Sequence, residues 1–192
     1  MATNQDAPFG LRPIGKVGQN RDNQGLSEYS IAASATAIYQ GDAVKMANTG
    51  TIVVAGAGGA ITGALTGIFF TDANTSKPTY ANHLNASNTA TDIVGFISDD
   101  PYERFEIQSN NAGASATTDI FNVADIVYAA GSSPDFVSQV ELNDSTLAAG
   151  SSATLQILGV SRDPSNNTVG AANVNWIVRI NEHELDMNVN GV

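Results

Sequence analysis

The chain has 192 residues, a length typical of one domain that buries a full hydrophobic core. It carries 19 acidic residues against 8 basic ones, so its formal net charge is −11 at neutral pH. This balance excludes the broad basic surface that nucleic-acid binding needs, and it disfavours an anionic membrane surface. The absence of cysteine excludes disulfides, thiolate nucleophiles and thiolate metal sites. No apolar run is long enough to span a membrane and no signal peptide is evident, so we expect a protein made in the cytoplasm.

The first 25 residues differ from the rest of the chain. They carry Arg12, Lys16 and Arg21 against two acidic residues, whereas residues 26–192 combine five basic with 17 acidic residues, a net charge of −12. Glycine and proline recur too often here for a helix, and they weaken any strand. The same segment holds an apolar cluster of Pro8, Phe9, Leu11, Pro13 and Ile14. We predict an extended N-terminal arm over residues 1–25 with an adhesive patch. The alternatives are a disordered terminus and a segment folded onto the chain's own core.

From residue 26 to residue 192, short apolar runs alternate with turns rich in glycine, asparagine and serine. The predicted strands cover residues 26–33, 37–39, 43–47, 51–55, 60–71, 92–98, 104–108, 123–130, 136–142, 153–160 and 174–180. In the last of these, Val174, Trp176, Val178 and Ile180 occupy alternate positions, as in a half-buried strand. No segment keeps helical spacing over three turns. The pattern predicts a mainly β protein, a single β-barrel or β-sandwich domain with few short helical turns.

A glycine-rich stretch at residues 56–59 follows an apolar run and resembles a dinucleotide-binding turn. That fingerprint requires a third glycine at position 61, where this chain has Ile61. Gly63 and Gly67 would weaken the helix that should follow, and too few residues remain for a crossover helix. We therefore interpret the stretch as the glycine loop of a β-hairpin and predict no cofactor.

Four carboxylates surround a predicted turn between two strands: Asp99, Asp100, Glu103 and Glu106. Grouped carboxylates can act as acid and base or bind a hard cation. The neighbouring Pro101 instead indicates a turn whose aspartates bond to their own backbone, and the flanking runs suggest a hairpin.

A second group of ionisable residues, Glu182-His183-Glu184-Leu185-Asp186, lies near the end of the chain. On a strand, the imidazole of His183 would point away from the two neighbouring glutamates, and His83 is far away in the sequence. The chain also lacks a serine nucleophile motif. We therefore predict no metal site and no enzymatic activity.

Several segments, taken in order, resemble one protein family. They are residues 7–15 (APFGLRPIG), 28–32, 38–45, 99–101, 105–108, 158–160 and 178–183. The most specific are residues 7–15 and the Gly41-Asp42-Ala43-Val44-Lys45 turn. Together they resemble the head-decoration, or capsid cement, proteins of tailed bacteriophages.

This resemblance implies a non-enzymatic virion protein on the outer surface of an expanded capsid, where it bridges neighbouring major capsid subunits. By analogy it is a homo-oligomer, a trimer, with the major capsid protein as its partner and neither nucleic acid nor membrane bound. The net charge of −11 suits solubility before assembly. The residues that we expect to contact the capsid are Pro8, Phe9, Leu11, Arg12, Pro13, Ile14, Lys16 and Arg21.

Two other functions stay open on the sequence. One is a phage tail, neck or fibre component, or a host surface-binding module, in which exposed loops such as residues 164–173 would carry recognition. The other is a nucleotide- or metal-dependent enzyme that uses residues 56–63 or the carboxylates of residues 99–106.

Overall fold

The structure, a computed structural model, describes residues 4–18, 25–33, 35–110, 115–131, 133–150 and 152–186. Its strands are β1 (Arg12–Lys16), β2 (Ser27–Ser30), β3 (Ile38–Tyr39), β4 (Ala43–Ala47), β5 (Thr51–Val54), β6 (Gly63–Thr71), β7 (Pro78–Ala81), β8 (His83–Leu84), β9 (Val94–Ser98), β10 (Glu103–Gln108), β11 (Val123–Ala124), β12 (Ile126–Val127), β13 (Glu141–Leu142), β14 (Leu155–Val160) and β15 (Asn175–Ile180). Two 3₁₀ turns lie at Thr117–Asp119 and Asp144–Thr146. The predicted mainly β fold is confirmed. Among these residues no helix is long and apolar enough to cross a membrane.

The first sheet has five antiparallel strands in the order β1-β10-β15-β14-β11. Side chains alternate between its two faces, as the pleat of a strand requires. Phe105 on β10 and its partner Val178 on β15 point into a hydrophobic core. Arg104 and its partner Arg179 occupy the opposite face of the same two strands. We call this opposite side the outer face of the first sheet.

The second sheet has the order β2-β9-β6-β4-β5, with β7 paired to the far end of β6. Just beyond β2, Ile31 forms a parallel bridge with Ile52 on β5, so the two ends of the sheet meet and the sheet curls into a barrel-like form. At Gly95 an added Cβ would lie 3.1 Å from Cδ1 of Ile31 and 3.2 Å from Cδ1 of Ile52. The interior of this curled sheet is therefore filled by side chains.

Two hydrophobic cores share one wall. The first lies between the two sheets and the second lies inside the curled sheet. On β4, Ala43 belongs to the first core and Val44 to the second, and on β6 Ala64 and Leu65 divide in the same way. The first residues of strands β4 and β6 are thus buried on both faces, so small and apolar side chains follow one another there instead of alternating with polar ones.

Two predicted hairpins are wrong. Strands β9 and β10 belong to different sheets, so the turn at residues 99–102 carries the chain from the second sheet to the first. Strands β5 and β6 both flank β4, so the glycine loop at residues 56–59 does not join two paired strands. Neighbours in sequence often pair in a sheet, but that tendency did not hold at these two connections.

Strands β1, β7 and β8 were not predicted. Strand β1 contains Pro13 and Gly15, which argue against a strand in general. It is nevertheless the edge strand of the first sheet, where proline is tolerated because one side of the strand needs no partner. Its register with β10 shifts between these two residues, which indicates a bulge.

Candidate functional surface

The described part of the N-terminal segment, residues 4–18, lies along the domain and is hydrogen-bonded to it. Asn4 donates to the carbonyl of Ala172 at 2.7 Å. Farther along, the backbone N–H of Leu11 donates to the carbonyl of Gly41 at 2.8 Å. Strand β1 then pairs with β10 over its whole length. This part of the predicted arm is therefore extended and packed on the rest of the fold.

The tightest contact of the segment is a crossing of backbones at Gly10, Gly41 and Ser138. A Cβ added to Gly10 would lie 2.2 Å from the carbonyl oxygen of Gly41 and 2.6 Å from Cβ of Ser138. A Cβ added to Gly41 would lie 2.4 Å from the carbonyl oxygen of Phe9. Both glycines also have positive φ angles, +72° and +89°. Only glycine fits at this crossing.

The carboxylates at residues 99 and 100 hold two neighbouring segments of the chain. Asp99 accepts hydrogen bonds from the hydroxyls of Ser27 at 2.9 Å and Tyr29 at 2.6 Å. Burial, together with the hydrogen bond to Asp99 and the negative charge of that group, raises the pKa of Tyr29 to about 12. Asp100 forms a salt bridge of 2.5 Å with Lys16. These two acids therefore fix β2 and the end of β1.

The carboxylates of β10 bind the N-terminal segment as well. Glu103 accepts a hydrogen bond from the backbone N–H of Gly15 at 3.0 Å. Glu106 forms a salt bridge of 3.2 Å with Arg12 and accepts a hydrogen bond of 2.5 Å from Ser161. Among the residues that the structure describes, no three His, Asp or Glu side chains are grouped as a metal site. In the fold, this acidic cluster binds β1 through hydrogen bonds and salt bridges.

Of the residues predicted to contact a capsid, Leu11 is fully buried in the first core. In this fold its side chain is not accessible to a partner, because it completes the packing between the two sheets. Arg21 lies outside the described residues. Pro8, Phe9 and Lys16 are half-buried.

The other three predicted contact residues are exposed on the edge strand β1: Arg12, Pro13 and Ile14. The guanidinium carbon of Arg12 lies 3.9 Å from the centroid of the Phe9 ring, a cation–π contact that fixes the arginine over the segment. Ile14 keeps 44% of its surface exposed. The edge strand thus presents one cation and two apolar side chains to solvent.

More exposed apolar side chains lie near this edge. The backbone N–H of Val17 donates to the carbonyl of Tyr102 at 2.8 Å, and both side chains are exposed. Tyr102 and the exposed Leu185 line the same cleft, of about 330 Å³. We define the tip surface as Ile14, Val17, Tyr102 and Leu185. Grouped exposed apolar residues are typical of a contact surface.

The cluster at residues 182–186 connects the end of the chain to the second sheet. Glu184 accepts hydrogen bonds from the backbone of Met46 at 2.7 Å and from the hydroxyl of Thr62. His183 is buried, and its Nδ1 accepts a hydrogen bond from the backbone N–H of Leu185 at 3.0 Å. Burial lowers the pKa of His183, which favours the neutral imidazole.

The loop at residues 164–173 is hydrogen-bonded to the N-terminal segment. The side-chain amide of Asn166 donates to the carbonyl of Gln5 at 2.7 Å and to that of Asn173 at 2.8 Å. Asn4 contacts the same loop through Thr168. These bonds hold the loop that the alternative function would use for recognition.

A pair of arginines on the outer face of the first sheet was not predicted from any sequence pattern. Arg104 on β10 lies directly opposite Arg179 on β15, and Nε of Arg179 donates to Gln156 on β14 at 2.8 Å. Nε of Arg104 is buried without a hydrogen-bond partner among the described residues. With the neighbouring Arg12, these side chains form what we call the arginine face. Only strand pairing brings them together, so no local motif could reveal them.

Two buried carboxyl groups make stability sensitive to pH. Burial raises the pKa of Asp144 to about 7, against the opposing effect of a hydrogen bond from Ser109. Burial likewise raises the pKa of Asp42 to about 6, although Ser138 and the backbone of Tyr39 bond to it. Between the ordinary carboxyl pKa near 4 and these raised values, the folded protein binds more protons than the unfolded chain. These two groups therefore make the fold less stable as pH rises through that range.

Replacing Asp144 by asparagine is expected to raise the free energy of unfolding at pH 8 by about 2 kcal/mol, because a neutral amide replaces a buried carboxylate. Near pH 4 the variant and the parent are expected to differ little. Urea unfolding across this pH range measures the difference. The exposed Asp135→Asn change is the control and should leave the pH profile of the parent unaltered. A D144N profile that runs parallel to the parent's would contradict the assignment.

Comparisons with protein-family models, with curated proteins and with solved structures gave no match to this chain. Its class therefore follows from the molecule itself: a mainly β protein with an N-terminal segment built into its first sheet.

Proposed function

We propose that this protein is a non-enzymatic structural component of a phage virion, which binds the outer surface of an expanded capsid and cements neighbouring major capsid subunits. The proposal starts from the resemblance of residues 7–15 and 41–45 to capsid decoration proteins. It includes a homo-oligomer on the capsid and the major capsid protein as partner.

One observation carries the proposal. The two segments with the most specific resemblance, far apart in the sequence, meet in space at the crossing of Gly10 and Gly41. The hydrogen bond from Leu11 to Gly41 joins them, and Leu11 then enters the core. If both motifs matched by chance, contact between them in the fold would not be expected. Their contact supports a resemblance of whole folds over a coincidence of short motifs.

The contact surface that we assign to the capsid is the exposed edge strand β1 together with the tip surface. Pro13 and the bulge beside it interrupt the free edge of β1, which hinders pairing with a strand of another chain. Binding through this edge would therefore use side chains, with Ile14 as an apolar anchor and Arg12 at its side. Burial of one such side chain contributes about 1.5–3 kcal/mol, which is too little for tight binding by a single copy. An oligomer that contacts several sites of a symmetric capsid at once would bind more tightly.

The test of the function is co-sedimentation of the full chain with expanded, undecorated phage heads and with unexpanded procapsids. Saturable binding to expanded heads alone, at hundreds of copies for each particle, is the expected result. About a dozen copies would indicate a tail or neck component instead. Absence of binding to either particle would overturn the proposal.

The test of the contact surface is the change Ile14→Asp, which places a charge on the exposed edge strand. We expect at least about tenfold weaker binding to heads, since an apolar anchor is lost and a carboxylate must be desolvated. The matched control is Tyr80→Asp, on a residue that is 75% exposed on the second sheet. If Y80D lost binding and I14D kept it, the capsid would contact another face.

A further inference from the structure

The arginine face is a local exception in an acidic molecule. Three of the chain's eight basic residues, Arg12, Arg104 and Arg179, lie on the outer face of one sheet, although the chain carries a net charge of −11. Among the described strand residues of this face, one is a carboxylate, Glu106, and that group is already bonded to Arg12 and to Ser161. Glu103 is attracted to Arg104 electrostatically, but its carboxylate bonds to the backbone of Gly15 and forms no salt bridge with Arg104.

These two arginines face each other across neighbouring strands. Directly opposed residues of an antiparallel pair lie about 5 Å apart at their Cα atoms, and like charges in that position destabilise the sheet. Among the residues that the structure describes, neither side chain forms a salt bridge. Nε of Arg104 is in addition buried without an acceptor. The described part of the chain therefore holds two opposed guanidinium groups with no carboxylate at salt-bridge distance.

The N-terminal segment covers only part of this outer face. The backbone N–H of Ala7 donates to the side chain of Gln108 at 2.9 Å, and Gln108 donates to the carbonyl of Gln5 at 3.0 Å. This cover lies at the end of β10 that carries Gln108, four residues beyond Arg104. The half of the face that carries Arg104 and Arg179 stays partly exposed.

We propose that the arginine face binds an acidic segment of another protein, through a pair of carboxylates that the two guanidinium groups of Arg104 and Arg179 hold. A guanidinium and a carboxylate form two parallel charge-assisted hydrogen bonds, which suits two arginines placed side by side. Two carboxylates at alternate positions of an extended peptide point to one side about 7 Å apart. The long side chains of two arginines whose Cα atoms lie about 5 Å apart can diverge enough to reach both of them. Arginine is also enriched at the centre of protein interfaces.

Charge favours a polypeptide partner over a nucleic acid. A phosphate backbone needs a broad basic footprint that neutralises several phosphates at once. Here only two arginines, which form no salt bridge with any described residue, are available on a molecule whose net charge repels a polyanion. A short segment with two carboxylates requires no more than these two cations. The arginine face adjoins the tip surface that we assign to the capsid, since Arg179 lines the same cleft as Tyr102 and Leu185.

The probe is a glycine–serine peptide with blocked ends whose only charged residues are the two glutamates of one Glu-Ser-Glu sequence. It is added to the full chain. Binding is measured by fluorescence anisotropy at low ionic strength, with the arginine Nε–H signals followed by NMR. The double variant R104Q/R179Q removes the site. The variant K77Q/R162Q removes the same charge from two exposed residues elsewhere and serves as the matched control.

We expect R104Q/R179Q to weaken binding at least about tenfold and K77Q/R162Q to leave it within about twofold of the parent. The Nε–H signal of Arg104 should shift when the peptide binds, and replacing both glutamates of the peptide by glutamine should abolish binding. Thermal unfolding shows whether R104Q/R179Q remains folded, which we expect because the change removes a like-charge pair.

Four results would overturn the proposal. They are no binding of the peptide by the parent chain, equal losses in both variants, tighter binding of a thymidine oligonucleotide than of the peptide, and self-association of the parent that R104Q/R179Q abolishes. The last result would place a second copy of this chain on the face.

Discussion

Replacing Gly10 by alanine is expected to lower the free energy of unfolding by about 3 kcal/mol, the largest loss from any single methyl group that we foresee. The added Cβ would lie 2.2 Å from the carbonyl oxygen of Gly41, far inside van der Waals contact. Because Gly41 is itself hydrogen-bonded to Leu11 and Leu65, the backbone cannot move away without breaking those bonds. Chemical denaturation of the variant measures the loss.

Gly50→Ala is the matched control for this change. Gly50 has a φ angle of +76°, close to the +72° of Gly10, yet an added Cβ would meet no atom within 4 Å. It therefore reports only the conformational cost of alanine at positive φ, about 1 kcal/mol. Equal losses in G10A and G50A would contradict the assignment of steric overlap at the crossing.

Deleting residues 1–16 is expected to unfold the domain. The deletion removes Leu11 from the first core, at a cost of about 2–5 kcal/mol, and takes away the edge strand β1. It also leaves Glu103 and Glu106 without their partners on β1. Domains of this size have a total stability of about 5–15 kcal/mol, so little or none would remain. Circular dichroism and size-exclusion chromatography measure the result.

A synthetic peptide of residues 1–16 provides the control, because it restores the missing strand without a covalent link. We expect it to bring back the native spectrum when added to the truncated chain. A peptide with Leu11→Ala should do so more weakly, and one with Leu11→Met almost as well, since methionine conserves volume. A truncated chain that melts at the temperature of the parent would show that the segment is dispensable for folding.

Local patterns in the sequence were sufficient to predict the fold class and most strands. The alternation through Val174 and Trp176 predicted β15, with its apolar side toward the core. Strand β4 was predicted with its correct bounds, from Ala43 to Ala47. Hydrophobic periodicity is a property of each strand by itself, so these predictions did not depend on which strands pair.

The partners of the strands could not be predicted in this way. Both connections that were taken for hairpins, after β5 and after β9, lead to strands that pair elsewhere. Pairing is decided by the packing of the two cores, and a turn of four residues between two strands allows either outcome. Strand β1 was missed for the same reason. Pro13 is unfavourable in a strand except at the edge of a sheet, and which strand lies at the edge is known only once all strands have paired.

The candidate surface was predicted only in part. Composition indicated an N-terminal patch, and Arg12, Pro13 and Ile14 are indeed exposed there, while their role at a capsid stays a prediction. Leu11 belonged to the same apolar cluster, yet it is a core residue, because strand alternation sends it to the opposite face from Arg12. The pairing of Arg104 with Arg179 depends on tertiary structure alone.

The order of strands in the first sheet has a consequence for folding during synthesis on the ribosome. The second sheet is built from one continuous stretch, from β2 to β9, and can form as that stretch emerges. Strand β1 is made before it, yet its partner β10 follows only afterwards, and β10 in turn pairs with β15 near the end of the chain. Such distant pairings close late and slowly. Strand β1 is thus synthesised well before its partner β10, and the first core that encloses Leu11 is complete only after β15 has been made.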